Sequence, residues 1–182
     1  MPSRSKSERK AAPRKKTSKP AAKPGKSAND AVALLEADHR QVEELFAKFE
    51  EASGDAQKRD LANAICVALK VHARLEEELF YPAAATVLSD LGLIEEAQVE
   101  HASAKDLIAQ IEAGAPGEML YDAKVKVLSE YVAHHVGEEE DEIFPQVRRG
   151  GLDLAALGER MLVRKNELMT GFTRSNPILG LD

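Results

Sequence analysis

The chain has one cysteine, no tryptophan, and aromatic residues at only 4% of its 182 positions. A single thiol excludes a disulfide scaffold, a cysteine-built zinc site and a thiolate-ligated iron–sulfur cluster. So few aromatics leave little of what strands favour and little to stack on nucleic-acid bases. Apolar runs such as residues 64–69 fall far short of the ~20 residues a bilayer span requires. No apolar segment of signal-peptide type opens the sequence. The expectation is a soluble, cytoplasmic protein with no membrane partner.

Hydrophobic residues make up 43% and charged residues 31%, a balance that suits an all-α protein. The net charge of −6 hides a split: residues 1–27 carry ten of the 25 Lys/Arg but one of the 31 acids, Glu8. The rest therefore has 15 basic against 30 acidic residues. Residues 1–28 are rich in Lys, Ser, Ala and Pro and hold too little apolar bulk to offset the entropy of ordering. They are expected to form a disordered basic tail, able to contact nucleic acid non-specifically through residues 1–27.

From Asn29 onward the pattern is helical. Helix A, about 30–52, has an inward stripe of Val32, Leu35, His39, Val42, Phe46 and Phe49, with Asn29 or Asp30 as its cap. A second helix, which Asp55 can cap, carries Leu61, Ile65, Leu69, His72, Glu76 and Leu79. It is expected to stop at Pro82, where proline removes a donor and crowds the preceding turn. A third carries Ile94, Ala97, His101, Ala104, Ile108 and Ile111, and a fourth Tyr121, Val125, Leu128, Val132, His135, Glu139 and Ile143, stopping at Pro145. Long amphipathic helices with short connections predict an antiparallel up-down-up-down four-helix bundle over 29–148. Residues 149–182 would add a C-terminal helix, about 152–171, as a cap or an oligomer contact.

The chain also repeats. A shift of 62 places Asp38-His39 on Glu100-His101. A shift of 63 places His72, Glu76, Glu77, Tyr81 and Pro82 on His135, Glu139, Glu140, Phe144 and Pro145. The four histidines occupy inward slots of otherwise apolar stripes. Glu76 and Glu139 follow a histidine by four residues and share its helix face. At ~1.5 Å per residue, all four imidazoles lie ~14–15 Å from one pole of an antiparallel bundle. They should meet in one layer, with both carboxylates about a turn nearer that pole. Unpaired polar groups in a dry core cost roughly 2 kcal/mol or more each. Hydrogen-bonded His–Glu pairs would lower that cost without a metal, but a metal centre accounts for stoichiometry, symmetry and depth together. Four nitrogens and two carboxylates exceed one tetrahedral zinc. They suit two ions bridged by the carboxylates, with iron favoured and manganese or zinc as alternatives.

These motifs, in order over about residues 30–148, closely resemble the hemerythrin-like HHE cation-binding domain. The resemblance implies a non-haem di-iron four-helix bundle with His39, His72, Glu76, His101, His135 and Glu139 as metal ligands. The oxygen-carrying hemerythrins place two histidines one turn apart on the third helix, whereas here His101 is followed at that turn by Lys105. This departure argues against oxygen storage by the carrier mechanism. The carriers also use a carboxylate one residue later on the fourth helix, so Glu140 competes with Glu139, and the internal repeat favours Glu139. His134 is most simply a packed residue, with a fifth ligand or a supporting group as alternatives. Cys66 reads as a small buried hydrophobe, and the acidic run 138–142 as partly solvated.

The leading functional expectation is a stress-response protein, a monomer or homodimer, that binds or senses iron, dioxygen, nitric oxide or peroxide. A ferritin-like or peroxide-decomposing enzyme is the alternative, weakened by the dominance of nitrogen donors and by His-x-x-x-Glu instead of Glu-x-x-His spacing. A metal-containing bundle tethered to DNA by its tail is the third.

Overall fold

The computed structural model describes residues 30–175, so the basic tail expected over 1–28 lies outside the described residues. Those residues are all-helical, without a strand. Asp30 caps α1 (Ala31–Glu51) by accepting the Ala33 N–H at 2.8 Å. Asp55 does not cap α2 (Asp55–Leu75): it is the first helical residue, Gly54 takes the cap position, and no side chain bonds there.

The expected stops at Pro82 and Pro145 are corrected. After α2 the chain widens into a π-turn, Glu76–Phe80, and continues as α3 (Tyr81–Ala84). After α4 (Gly92–Glu112) and α5 (Tyr121–Glu138) the same happens: a π-turn, Glu139–Ile143, leads into α6 (Phe144–Arg149). The Tyr81 N–H bonds the Glu76 carbonyl and the Phe144 N–H the Glu139 carbonyl, each reaching back five residues. The wider turn makes room for the ring of the next residue, proline, so the rod continues through it. With α7 (Leu154–Ser175) the described residues form five helical rods. None among the described residues is long and apolar enough to cross a membrane.

Two apolar clusters fill the interior. One gathers Val32 and Leu35 with Leu75, Phe80, Ile143 and Phe144, and α7 adds Leu157, Met161 and Leu168. The other gathers Val42, Phe46 and Phe49 with Ile65, Leu69, Ile108, Tyr121 and Leu128. The predicted inward histidines are all buried, at sequence positions between those feeding the two clusters. Ion pairs record which helix ends meet. Arg148 of α6 pairs with Asp30 at 3.0 Å and Glu36 at 3.3 Å, at the start of α1. Lys58 pairs with Asp122, joining the starts of α2 and α5.

Gly150 follows α6 so closely against Val87 that an added Cβ would lie 2.5 Å from the Val87 Cβ. Gly137, within α5, has open space at the same position. Gly150→Ala is therefore expected to destabilise by about 1–3 kcal/mol through overpacking. Gly137→Ala should stabilise by about 0.5–1 kcal/mol through helix propensity. Opposite shifts in urea midpoint would check both.

Candidate metal centre

The six sequence-predicted donors converge. The Nε2 atoms of His39 and His72 lie 3.2 Å apart, and those of His101 and His135 also 3.2 Å apart. Glu76 spans the two pairs: Oε1 is 3.0 Å from His72 Nε2 and Oε2 is 3.4 Å from His101 Nε2. Glu139 Oε2 faces both pairs as well, 3.3 Å from His39 Nε2 and 3.7 Å from His135 Nε2. Both carboxylates are essentially sealed from solvent, at 0% and 1% exposure. Two overlapping donor groups result: His39, His72, Glu76 and Glu139, and Glu76, His101 and His135.

The π-turns let each inward glutamate share the interior with the aromatic residue five positions later. In an unbroken α-helix Tyr81 would lie about 140° around the axis from Glu76. The wide turn resets the phase, and Tyr81 swings into the core, 2% exposed. Its hydroxyl donates to Glu139 Oε1 at 3.0 Å. Phe144 occupies the corresponding place in the second half, so one half alone delivers a phenol. Sequence reasoning missed Tyr81 because the aromatic-Pro repeat reads as packing.

Outward, three of the four imidazoles meet a carboxylate at hydrogen-bond distance. His39 Nδ1 lies 2.8 Å from Glu140, His101 Nδ1 2.9 Å from Glu77, and His135 Nδ1 2.7 Å from Glu100. His72 Nδ1 lies 3.8 Å from Asp38. These four acids are two repeat-related pairs, so the repeat already held the signal for them. Glu140 thus stands behind His39 on the outer side, whereas Glu139 points into the layer. His134 does not join: its side chain is 66% exposed and pairs with Glu138 at 3.2 Å. Lys105 pairs with Glu77 at 2.5 Å.

This arrangement accommodates cations. An imidazole that donates Nδ1–H outward presents a bare lone pair at Nε2. At His101 and His135, whose Nδ1 atoms both meet a glutamate, two such lone pairs 3.2 Å apart repel unless a positive charge lies between them. Glu76 Oε1, Glu76 Oε2 and Glu139 Oε2 are buried without an aligned hydrogen-bond donor, and a metal ion at each histidine pair would satisfy them. Electrostatics agree. Burial works against a charged carboxylate, but the imidazoles of His72 and His101 hold Glu76 well below the usual range. Burial, then the Glu76 charge, pushes Glu139 up. Burial likewise opposes a charged His72, yet Glu76 and Asp38 raise it to about 10. Tyr81 is pushed well above the usual phenol by burial and by both glutamates. Away from the layer, Cys66 is a buried free thiol that desolvation raises to about 12.

The sequence model of the family described as "Hemerythrin HHE cation binding domain" matches residues 30–147. A DNA nickase of Nostoc sp. (strain PCC 7120) is 28% identical over 115 residues, which are 63% of this chain and 32% of that relative. The chain thus spans about a third of the length of the curated relative it matches. A crystal structure of a hemerythrin HHE cation binding domain-containing protein from Mycobacterium kansasii matches with a TM-score of 0.70 at 23% identity. That match covers 81% of this chain and 93% of the other, a likeness of fold.

The inner and outer glutamates should behave differently when neutralised. Glu139→Gln should remove bound metal outright. Glu140→Gln should keep the stoichiometry and weaken retention about 10–100-fold, as expected for a group behind a ligand. Metal analysis after chelator competition would distinguish the two.

Proposed function

Because the chain belongs to the hemerythrin HHE cation-binding domain family, we propose that its buried layer holds two metal ions, iron by preference, and binds a small ligand there. His39 and His72 would hold one ion and His101 and His135 the other, with Glu76 and Glu139 shared between them. Imidazole-rich nitrogen and oxygen donors suit iron, with manganese or zinc as alternatives. Bound iron would supply open coordination positions and redox capacity. The observation that carries this reading is the doubled set of inward Nε2 atoms, each pair 3.2 Å apart, with buried carboxylate oxygens that have no aligned donor.

The helix scaffold is read as an up-down-up-down four-helix bundle of α1, α2–α3, α4 and α5–α6, with α7 added. The Arg148–Asp30 and Lys58–Asp122 pairs support it. A cavity of about 50 Å³ reaches all four imidazoles, with Val42, Leu69, Ala104, Ile108 and Val132 among its walls. It has room for a ligand of a few atoms, such as dioxygen, nitric oxide, peroxide or azide. Dioxygen, nitric oxide and peroxide are therefore the ligand class, and binding or sensing in a stress response is the role proposed.

Full-length protein purified without oxygen should contain two metal ions per chain. On oxidation it should show near-ultraviolet absorption that shifts on adding azide as a small-anion probe. Ala104→Leu, which fills the cavity, should abolish the azide shift while leaving the metal content unchanged. A metal-free, fully folded preparation would sink the reading.

A second reading concerns residues 1–27. Their ten basic residues against one acid, and the similarity of this domain to a part of a DNA nickase, favour non-specific attachment to nucleic acid. Retention on duplex DNA should fall steeply between about 50 and 200 mM salt for the full chain, as counterion release requires. A chain lacking residues 1–27 should be hardly retained at either salt, because the remaining body is acidic.

A further inference from the structure

The two halves repeat in sequence, but their outer carboxylates do not meet the imidazoles alike. In three cases a glutamate lies within hydrogen-bond distance of a ring Nδ1: Glu140 at His39, Glu77 at His101 and Glu100 at His135, at 2.7–2.9 Å. Each of these glutamates also faces a second basic group. Arg40 pairs with Glu140, Lys105 with Glu77, and His134 lies 3.6 Å from Glu100. A neighbouring cation therefore does not by itself break the bond to the imidazole.

The fourth case differs. Asp38 stands where the repeat places Glu100, with a side chain one methylene shorter. Its Oδ2 is 3.8 Å from His72 Nδ1, which is buried without a hydrogen-bond partner. The other oxygen, Oδ1, accepts from Lys165 Nζ. Lys165 belongs to α7, a helix with no counterpart inside the repeat. Its neighbour Arg164 grips Glu78 with two nitrogens, at 2.7 and 3.1 Å, and Glu78 lies in the π-turn that begins at Glu76. Two adjacent cations of α7 are thus fastened to the first half of the layer, one of them on the carboxylate that fails to reach its histidine.

We propose that Lys165, acting through Asp38, is a positioning residue that keeps His72 a weaker donor than the other three histidines, so that the metal position at His39 and His72 empties more readily than its partner. A carboxylate bonded to the outer ring nitrogen fixes the tautomer and ring orientation that aim the inner lone pair at a metal, and so strengthens ligation. His72 lacks that bond because Asp38 is short and is drawn toward the ammonium. Lys165, paired with Asp38, also neutralises that carboxylate's charge beside the layer. One labile and one tightly held position give a centre that exchanges one metal while its scaffold stays loaded.

This inference rests on the layer being a dinuclear metal centre, and the test separates the two. Full-length protein loaded with ferrous iron without oxygen is mixed with excess colorimetric chelator, and release is followed in time. Two phases of equal amplitude are expected, differing in rate by about tenfold or more, the scale of an outer hydrogen bond. Asp38→Glu, which restores the reach present in the second half, should merge the fast phase with the slow one. Lys165→Met should slow the fast phase several-fold, and Lys165→Arg should leave it unchanged. Loosening of α7 alone would instead accelerate release and lower the thermal midpoint in Lys165→Met. That outcome overturns the inference, as does a fast phase that neither Asp38→Glu nor Lys165→Met slows. Two irons leaving in a single phase from the unmodified protein overturns the inference and leaves the metal-centre reading standing. A chain that keeps no iron through desalting overturns both.

Discussion

Crowding of electron-rich atoms governs this molecule. Four imidazoles and two carboxylates turn ring nitrogens and oxygens toward one another in an interior that is otherwise apolar, where a low dielectric magnifies every unbalanced charge. Such a layer requires positive charge, supplied by protons or by metal ions. Despite burial, Glu76 is held below the usual carboxylate range by the imidazoles of His72 and His101, and Glu139 is pushed up by burial and by the Glu76 charge, as neighbouring buried carboxylates require. At His39, His101 and His135 the outer glutamates push the same way, by orienting Nδ1–H outward and leaving Nε2 bare. The structure as a whole is a means of holding six donors against their mutual repulsion, with apolar packing at each end supplying the counterforce.

The two π-turns are the local device that makes this compatible with helices. Each begins at the inward glutamate and ends just before an aromatic-Pro pair. A π-turn costs hydrogen-bond quality and is found most often where function requires it. Here it lets Tyr81 share the inward face with Glu76, from which a period of 3.6 would turn it by about 140°. His72, Glu76, Phe80, Tyr81 and Ala84 are all buried on one rod.

Much of the site is legible in the sequence, and the reason is periodicity. His39, His72, His101 and His135 interrupt apolar stripes, so their burial follows from the same spacing that places Val32, Leu35 or Ile108 inside. Choosing Glu139 over Glu140 follows from the repeat, and the two residues do separate into inner and outer positions. What stays hidden depends on backbone departures from regular helix. Reading Pro82 and Pro145 as terminators applies a sound rule to a turn that evades it. Tyr81 escapes notice because its inward orientation exists only after the phase reset. Asp38 and Lys165 lie 127 residues apart, and no local pattern announces a contact over that separation. Asp38, Glu77, Glu100 and Glu140 are each adjacent to a recognised donor, yet adjacency in sequence does not say which face of a neighbouring imidazole an acid will meet.

The lone thiol has a consequence for chemical durability. Cys66 is sealed in the apolar cluster among Ile65 and Leu69 and is raised to about 12. At pH 7 only on the order of one molecule in 10⁵ carries it as thiolate, the form that oxidants and disulfides attack. With no second cysteine in the chain, the protein can neither close an internal bridge nor readily be joined to a neighbour through sulfur. Thiol–disulfide exchange in its surroundings therefore leaves the chain's covalent connectivity unchanged.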